Sequence, residues 1–303
     1  MNNLVVLENL LTMRDYVRYA ASRFCEEGLF FGHGTAGPID EAAALVLHAL
    51  HLPYDLPGGY FESRLIPSER SKVLDLINLR INQRKPLAYL TNEAPFAGLS
   101  FYVDERVLVP RSPLAELIAD RFAPWVDPEK VSGILDLCTG SGCIAIACAF
   151  AFPDASVDAI DISSDALDVA KINVERHDLT DRLGLIQSDV YSAINGSQYD
   201  VIISNPPYVN SQEWASLPSE FHAEPRLGLE SGADGLDCVK KILLGAMIHL
   251  RPKGVLIVEV GSAAEALEKA FPDVPFCWID FASGGDGVFL LTYDQLVEHF
   301  RTD

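Results

Sequence analysis

Leu135-Asp136-Leu137-Cys138-Thr139-Gly140-Ser141-Gly142-Cys143-Ile144-Ala145 is the stretch that decides the fold. Its apolar start reads as a buried strand, Gly140 and Gly142 as a loop whose backbone a ligand can approach closely, and Cys143 to Phe150 as an apolar helix. Taken literally, Gly140 to Ala145 is G-x-G-x-x-A. Asp161 follows about 20 residues later, at the end of a second strand, Val157 to Ile160, where an acid holds ribose hydroxyls. A nucleoside ligand is the expectation.

A nicotinamide dinucleotide satisfies this loop, and so does S-adenosylmethionine. Asp136, just before the glycines, would repel a pyrophosphate and favour a ligand with an ammonium and a sulfonium, which leans toward the methyl donor. Asp189, in Ser188-Asp189-Val190, is a candidate acceptor for an adenine amino group.

Outward from the loop the alternation continues: helix Asp165 to Arg176, strand Leu185 to Gln187, strand Val201 to Ile203, an irregular loop to Gly235, helix Cys238 to Leu250 and strand Val255 to Val260. After it come one helix, Ala263 to Ala270, and two strands, Phe276 to Phe281 and Val288 to Thr292, around Ser283-Gly284-Gly285-Asp286-Gly287. Strands alternating with helices predict an α/β fold, a Rossmann-like doubly wound parallel sheet with right-handed crossovers. The closing hairpin predicts an antiparallel edge strand.

Upstream the signals are helical. Val6, Leu10, Met13 and Val17 share a face, Ala42 to Leu50 follows Pro38 and Asp40 as a start signal, and Pro67 to Gln83 is a third helix. Lys85-Pro86 breaks the pattern. Phe96, Leu99, Phe101, Val103, Val107, Leu108 and Val109 then predict strands around the turns Ala97-Gly98 and Asp104-Glu105. Ser112 as N-cap and Pro113 at the first position start a helix running to Phe122. The chain accordingly divides into a helical domain over residues 1–92, a connecting β-hairpin over 93–111 and a catalytic domain over 112–303.

A chain of 303 residues accommodates two domains. A formal charge of −20 argues against stable nucleic-acid binding, which depends on Lys and Arg neutralising phosphates, and favours a basic protein partner. Glu213, Glu220, Glu224 and Glu230 are candidates to meet it. The six cysteines include no Cys-x-x-Cys pair, so they read as reduced and mostly buried, and no metal is expected. With no long apolar run and no signal peptide, a cytoplasmic protein without a membrane span is expected.

The most distinctive corner is Asn205-Pro206-Pro207-Tyr208, which ends the apolar run Val201 to Ile203. Two prolines fix two φ angles and remove two donors, so the Asn205 and Pro206 carbonyls stay free as acceptors. With the Asn205 side chain they suit a planar NH2 group carried on a plane against which Tyr208 packs. An amide and an exocyclic amine both fit.

Together these stretches resemble class I S-adenosylmethionine-dependent methyltransferases, and within them the family that methylates glutamine N5 in translation proteins. The resemblance covers nearly the whole chain. It rests on Lys85 to Tyr89, Phe96-Ala97-Gly98, Val107-Leu108-Val109-Pro110-Arg111, the glycine loop, Asn205 to Tyr208, Glu224-Pro225, and Ser231 to Leu236. Arg111-Ser112-Pro113, Cys138 in the loop and Gly284 to Phe289 are more similar to the branch acting on large-subunit ribosomal protein three than to its release-factor sister.

The resemblance implies S-adenosylmethionine as donor and S-adenosylhomocysteine as product. The expected donor site comprises Asp136, Cys138, Thr139, Gly140, Gly142, Asp161, Ile162, Asp189, Val190 and Asn205. Asn205, Pro206, Pro207 and Tyr208 are expected to hold the substrate, with Asn205, Pro206 and Tyr208 acting in catalysis. It also implies that the helical domain recognises a basic ribosomal protein. Rival readings are a release-factor methyltransferase, an adenine amino-methyltransferase, a nicotinamide dehydrogenase and an acidic ribosomal-protein chaperone.

Overall fold

The computed structural model describes residues 3–282 and 284–301. The chain forms two compact units, Met1–Glu93 with Pro218–Ala223, and Ala94–Leu217 with Glu224–Asp303. The short segment Pro218–Ala223, expected within the catalytic domain, thus belongs to the helical unit.

That unit contains α1 (Asn3–Asn9), α2 (Met13–Glu26), α3 (Pro38–Ala49), α4 (Pro67–Gln83) and α5 (Leu87–Thr91). The single face expected across Val6, Leu10, Met13 and Val17 is split between two helices. Thr12 leaves helical geometry and forms a capping box, its N–H donating to Asp15 Oδ2 at 2.8 Å while Asp15 N–H donates to Thr12 Oγ1 at 3.2 Å. Tyr16, Phe24, Leu45, Val73 and Ile77 fill the core. Within it, fully buried Arg80 donates to Glu41 at 2.6 Å and to Glu220 at 3.4 Å. A guanidinium out of water needs such partners.

In the second unit β1 (Ala94–Phe96) and β2 (Leu99–Phe101) pair around Ala97 and Gly98, whose φ values of 48° and 77° suit a two-residue hairpin turn. Val103 to Pro110, expected as strand, forms no strand ladder among the described residues. Asp104 instead accepts from the backbone and guanidinium of Arg106, a local bond that competes with extended pairing, while Val103, Val107 and Val109 are buried singly.

The main sheet comprises β3 (Gly133–Leu137), β4 (Ser156–Asp161), β5 (Leu183–Gln187), β6 (Tyr199–Ser204), β7 (Leu250–Glu259), β8 (Cys277–Trp278) and β9 (Val288–Thr292), ordered β5-β4-β3-β6-β7-β9-β8. The strands from β5 to β7 are parallel, and β9 runs antiparallel to both β7 and β8. β8 is much shorter than the expected Phe276 to Phe281. Ser283, part of the expected turn, lies outside the described residues.

Alternate strand residues face two apolar layers. Ile134, Val201 and Ile203 face one, with Phe122, Ile146 and Leu114; Leu135, Ile202 and Leu256 face the other, with Leu243, Phe289 and Leu296. The helices of this unit are α6 (Leu114–Ala119), α7 (Cys143–Ala151), α8 (Ser164–Arg176), α9 (Ser211–Ser216), which buries no residue, α10 (Asp237–His249), α11 (Ala264–Ala270) and α12 (Tyr293–Phe300). α6 stops short of Phe122, because Arg121 and Phe122 turn left-handed, with φ of 51° and 56°. α12 was not expected from the sequence. Thr292 ends β9 and at once caps a new helix through Gln295, which lets Leu296 and Phe300 bury.

Candidate active site

The strand order reverses between β3 and β6, and the crevice of a doubly wound sheet opens there, beyond the carboxyl ends of the strands. The register defines what stands at that edge. Leu137 pairs with Ile160 and with Ser204, and Ser204 pairs with Val258. One residue further along each strand, Asp161, Cys138, Asn205 and Glu259 therefore form a single row.

Thr139, Gly140, Asp161, Ile162, Asn205 and Pro207 are among the residues lining a cavity of about 290 Å³, as are Cys138, Asp189 and Val190. Gly140 has φ of +54° and open space where a Cβ would stand, so a ligand can reach its backbone. Its N–H donates to Asp161 Oδ2 at 2.9 Å, and Ser163 N–H donates to Oδ1 at 2.9 Å. Each Asp161 oxygen keeps a lone pair for a ligand hydroxyl. Burial raises the Asp161 carboxyl above its ordinary range.

Two expected donor residues stand elsewhere. Asp136 is fully buried beneath the loop, where its Oδ2 accepts from Thr139 Oγ1 at 2.5 Å and Ala145 N–H at 3.1 Å. Its carboxyl shapes the loop instead of facing a ligand. Burial pushes it up to about 7. Gly142 also lies outside the cavity wall: a Cβ there would come within 3.3 Å of Ala170, so this glycine permits α7 and α8 to approach. Asp189 is in the wall, but Lys241 already holds both its oxygens, at 3.0 and 2.7 Å.

At the corner, the Asn205 side chain is half-buried, lines the cavity and makes no hydrogen bond to any described residue. Among the described residues no turn or loop hydrogen bond ends on the Pro206 carbonyl. Pro206 and Tyr208 are not among the residues that line this cavity. The Tyr208 hydroxyl donates to Glu259 Oε1 at 3.1 Å, and a Cβ on Gly261 would meet the Tyr208 ring at 2.7 Å. The ring is thus clamped behind the corner, where burial pushes its phenol up.

Glu259 was not singled out from the sequence. It is buried and also accepts from Ser112 Oγ at 2.5 Å, so one carboxylate ties the Asn-Pro-Pro-Tyr corner to the start of α6. Burial raises its carboxyl, with the two hydrogen bonds acting against that rise. The neighbouring Arg111 forms a two-point pair with Glu224, at 2.6 and 2.9 Å, and Glu224 also accepts from Val109 N–H.

The acids expected to face a partner are used internally. Glu220 and Glu224 are buried in the pairs described above. Glu230 is paired with Arg226, whose guanidinium lies over Trp214, and Glu213 accepts from Ser262 and the Asn210 side chain. Cys143 and Cys148 are buried as expected, whereas Cys25 and Cys277 are exposed. Among the described residues no group of side chains forms a metal site, and no helix is long and apolar enough to cross a membrane.

Residues 122–233 match the family model described as "Methyltransferase small domain". A ribosomal protein uL3 glutamine methyltransferase of Francisella tularensis subsp. tularensis is 48% identical over 295 residues, covering 97% of this chain and 94% of the relative. Another of the same name, from Neisseria meningitidis serogroup A, is 51% identical over 292 residues, covering 96% of each. Among solved structures, the hMettl16 catalytic domain in complex with MAT2A 3′UTR hairpin 6 aligns with TM-score 0.50 and 19% identity, over 78% of this chain and 82% of that one. That likeness concerns the fold.

Proposed function

Because the chain belongs to the family of the ribosomal protein uL3 glutamine methyltransferases, we propose that it methylates the side-chain amide nitrogen of a glutamine in uL3, with S-adenosylmethionine as donor and S-adenosylhomocysteine as product. The observation that carries this reading is the unpaired Asn205 amide, level with Cys138 and Asp161 in one cavity. The open backbone at Gly140 and the remaining lone pairs of Asp161 fit a nucleoside donor.

When bound, the donor supplies an electrophilic sulfonium methyl. The chain's task is to make a poor nucleophile attack it, since the amide lone pair is delocalised into its carbonyl. The Asn205 side-chain carbonyl and the Pro206 backbone carbonyl accept the two amide hydrogens, drawing electron density to nitrogen and orienting it. Gly140, Asp161 and Ile162 hold the nucleoside end. Tyr208, anchored by Glu259, keeps the corner rigid. The amide proton becomes acidic only as the new bond forms, so its loss to solvent suffices without a dedicated base.

On this reading the substrate is a basic protein, the helical unit serves its recognition, the work is cytoplasmic, and nucleic acid is not bound. The test is intact-mass analysis of uL3 and release factors after incubation with enzyme and donor. A gain of one methyl on a glutamine of uL3 is expected. Methylation of a release factor or of nucleic acid, with uL3 unchanged, would overturn the assignment.

A further inference from the structure

Cys138 and Cys238 stand 100 residues apart in the chain, yet their sulfurs lie 3.7 Å from each other. Both line the cavity, and the chemistry above uses neither thiol. Of the remaining cysteines, Cys143 also lines the cavity but is buried at the start of α7, where burial raises its thiol, Cys148 is buried in the same helix, and Cys25 and Cys277 are exposed and outside the cavity wall.

The two thiols are also inequivalent. The two sulfurs share one hydrogen bond, in which either can donate, and accepting it lowers the Cys238 thiol, as does the Lys241 ammonium one turn later, against burial and the Asp189 and Asp161 carboxylates. Cys238 also sits in the first turn of α10, where the helix dipole stabilises negative charge. The same hydrogen bond and burial hold Cys138 as a thiol. An attacking thiolate beside a resolving thiol is the arrangement of oxidant-sensitive cysteines.

We propose that Cys138 and Cys238 form an oxidisable dithiol, a disulfide-forming site in the wall of the donor cavity that takes hydrogen peroxide as oxidant. The Cys238 thiolate attacks one peroxide oxygen, the O–O bond breaks, and the released hydroxide is protonated to water. Cys238 becomes a sulfenic acid. The Cys138 sulfur attacks it, the S–S bond forms, the S–O bond breaks, and the hydroxyl leaves as a second water with the Cys138 proton. Two thiols are oxidised by two electrons, and one peroxide is reduced to two waters.

A disulfide brings its sulfurs to about 2.05 Å. From 3.7 Å they must approach by about 1.6 Å. Cys138 begins the glycine loop at φ 61° and is level with Asp161 and Asn205, so its displacement moves the cavity wall. Oxidation therefore weakens donor binding. That consequence rests on the donor reading of the cavity; the crosslink does not.

The experiment uses the full chain carrying Cys25→Ser and Cys277→Ser, which removes the exposed thiols. On peroxide treatment the intact mass should fall by two hydrogens, and a digest should yield a crosslinked Cys138–Cys238 peptide. Calorimetry with S-adenosylmethionine should show affinity reduced ~10-fold or more, restored by dithiothreitol. Saturating S-adenosylhomocysteine should slow the crosslink. Adding Cys238→Ser should abolish both the crosslink and the effect of peroxide on affinity. Oxygen addition without a crosslink, or unchanged affinity after a mapped crosslink, overturns the proposal. If the reduced protein binds no donor, the donor reading fails, while the mapped crosslink still decides the dithiol.

Discussion

Asp136→Asn would expose the electrostatic cost of the glycine loop. The carboxyl is fully buried, with two hydrogen bonds on Oδ2 and none on Oδ1. Burial raises it from an ordinary 3.8 to about 7. Between those values the folded protein holds a proton that the unfolded chain has released. Stability must then fall as pH rises, by about 1.4 kcal/mol per pH unit, a loss complete only above the folded value. Asparagine carries no such proton. The stability of Asp136→Asn minus that of the wild type should therefore grow by about 2–3 kcal/mol between pH 5 and pH 8, then level off. The asparagine NH2 at the Oδ1 position adds an offset, but that offset does not vary with pH. Urea denaturation followed by tryptophan fluorescence reads the right unit, because Trp125, Trp214 and Trp278 all lie in the one that holds Asp136. A difference that stays flat across this range would mean that Asp136 ionises like a solvated acid, and the reasoning would be refuted.

Asn205→Ala should lower turnover ~10²-fold or more while calorimetric donor affinity stays close to wild type; near-normal turnover would remove Asn205 from the chemistry. Asp161→Ala should instead weaken donor binding, by roughly 10-fold for a lost charged hydrogen bond, and an unchanged affinity would exclude it from the donor site. Glu259→Ala leaves the Tyr208 and Ser112 hydroxyls without their acceptor. Its turnover should drop about 10-fold with donor affinity retained, Glu259→Gln recovering most of the loss; equal defects in both variants would show that hydrogen-bond acceptance is not what matters. Glu220→Ala strips a carboxylate from fully buried Arg80 and should destabilise the helical unit by about 3 kcal/mol or more, read by a circular-dichroism melt; a melt like the wild type's would contradict the buried-pair account.

The sheet was legible because β3, β6 and the second half of β7 are buried on both faces and read as apolar runs, and because Gly140 and Gly142 punctuate the first strand–helix turn. Two of the differences turn on short-range bonds whose residue types are themselves local signals. Asp104 with Arg106 turns an apolar stretch away from strand pairing, and Thr292 with Gln295 starts a helix where a strand ends. Glu220 and Glu224, read as a surface for a partner, are both buried, yet four residues apart they serve different units. No periodicity could have separated them, because each is defined by an arginine more than a hundred residues away. Glu259 is the instructive case. It is an acid at the carboxyl end of an apolar strand, the same signal that picked out Asp161, and the parallel register sets it beside Asn205. A charge that interrupts a doubly buried strand at its carboxyl end has to find a partner at the crevice or act there. Here the partners are Tyr208 and Ser112, so the residue that sequence reading overlooked is the one joining the corner to the loop before α6.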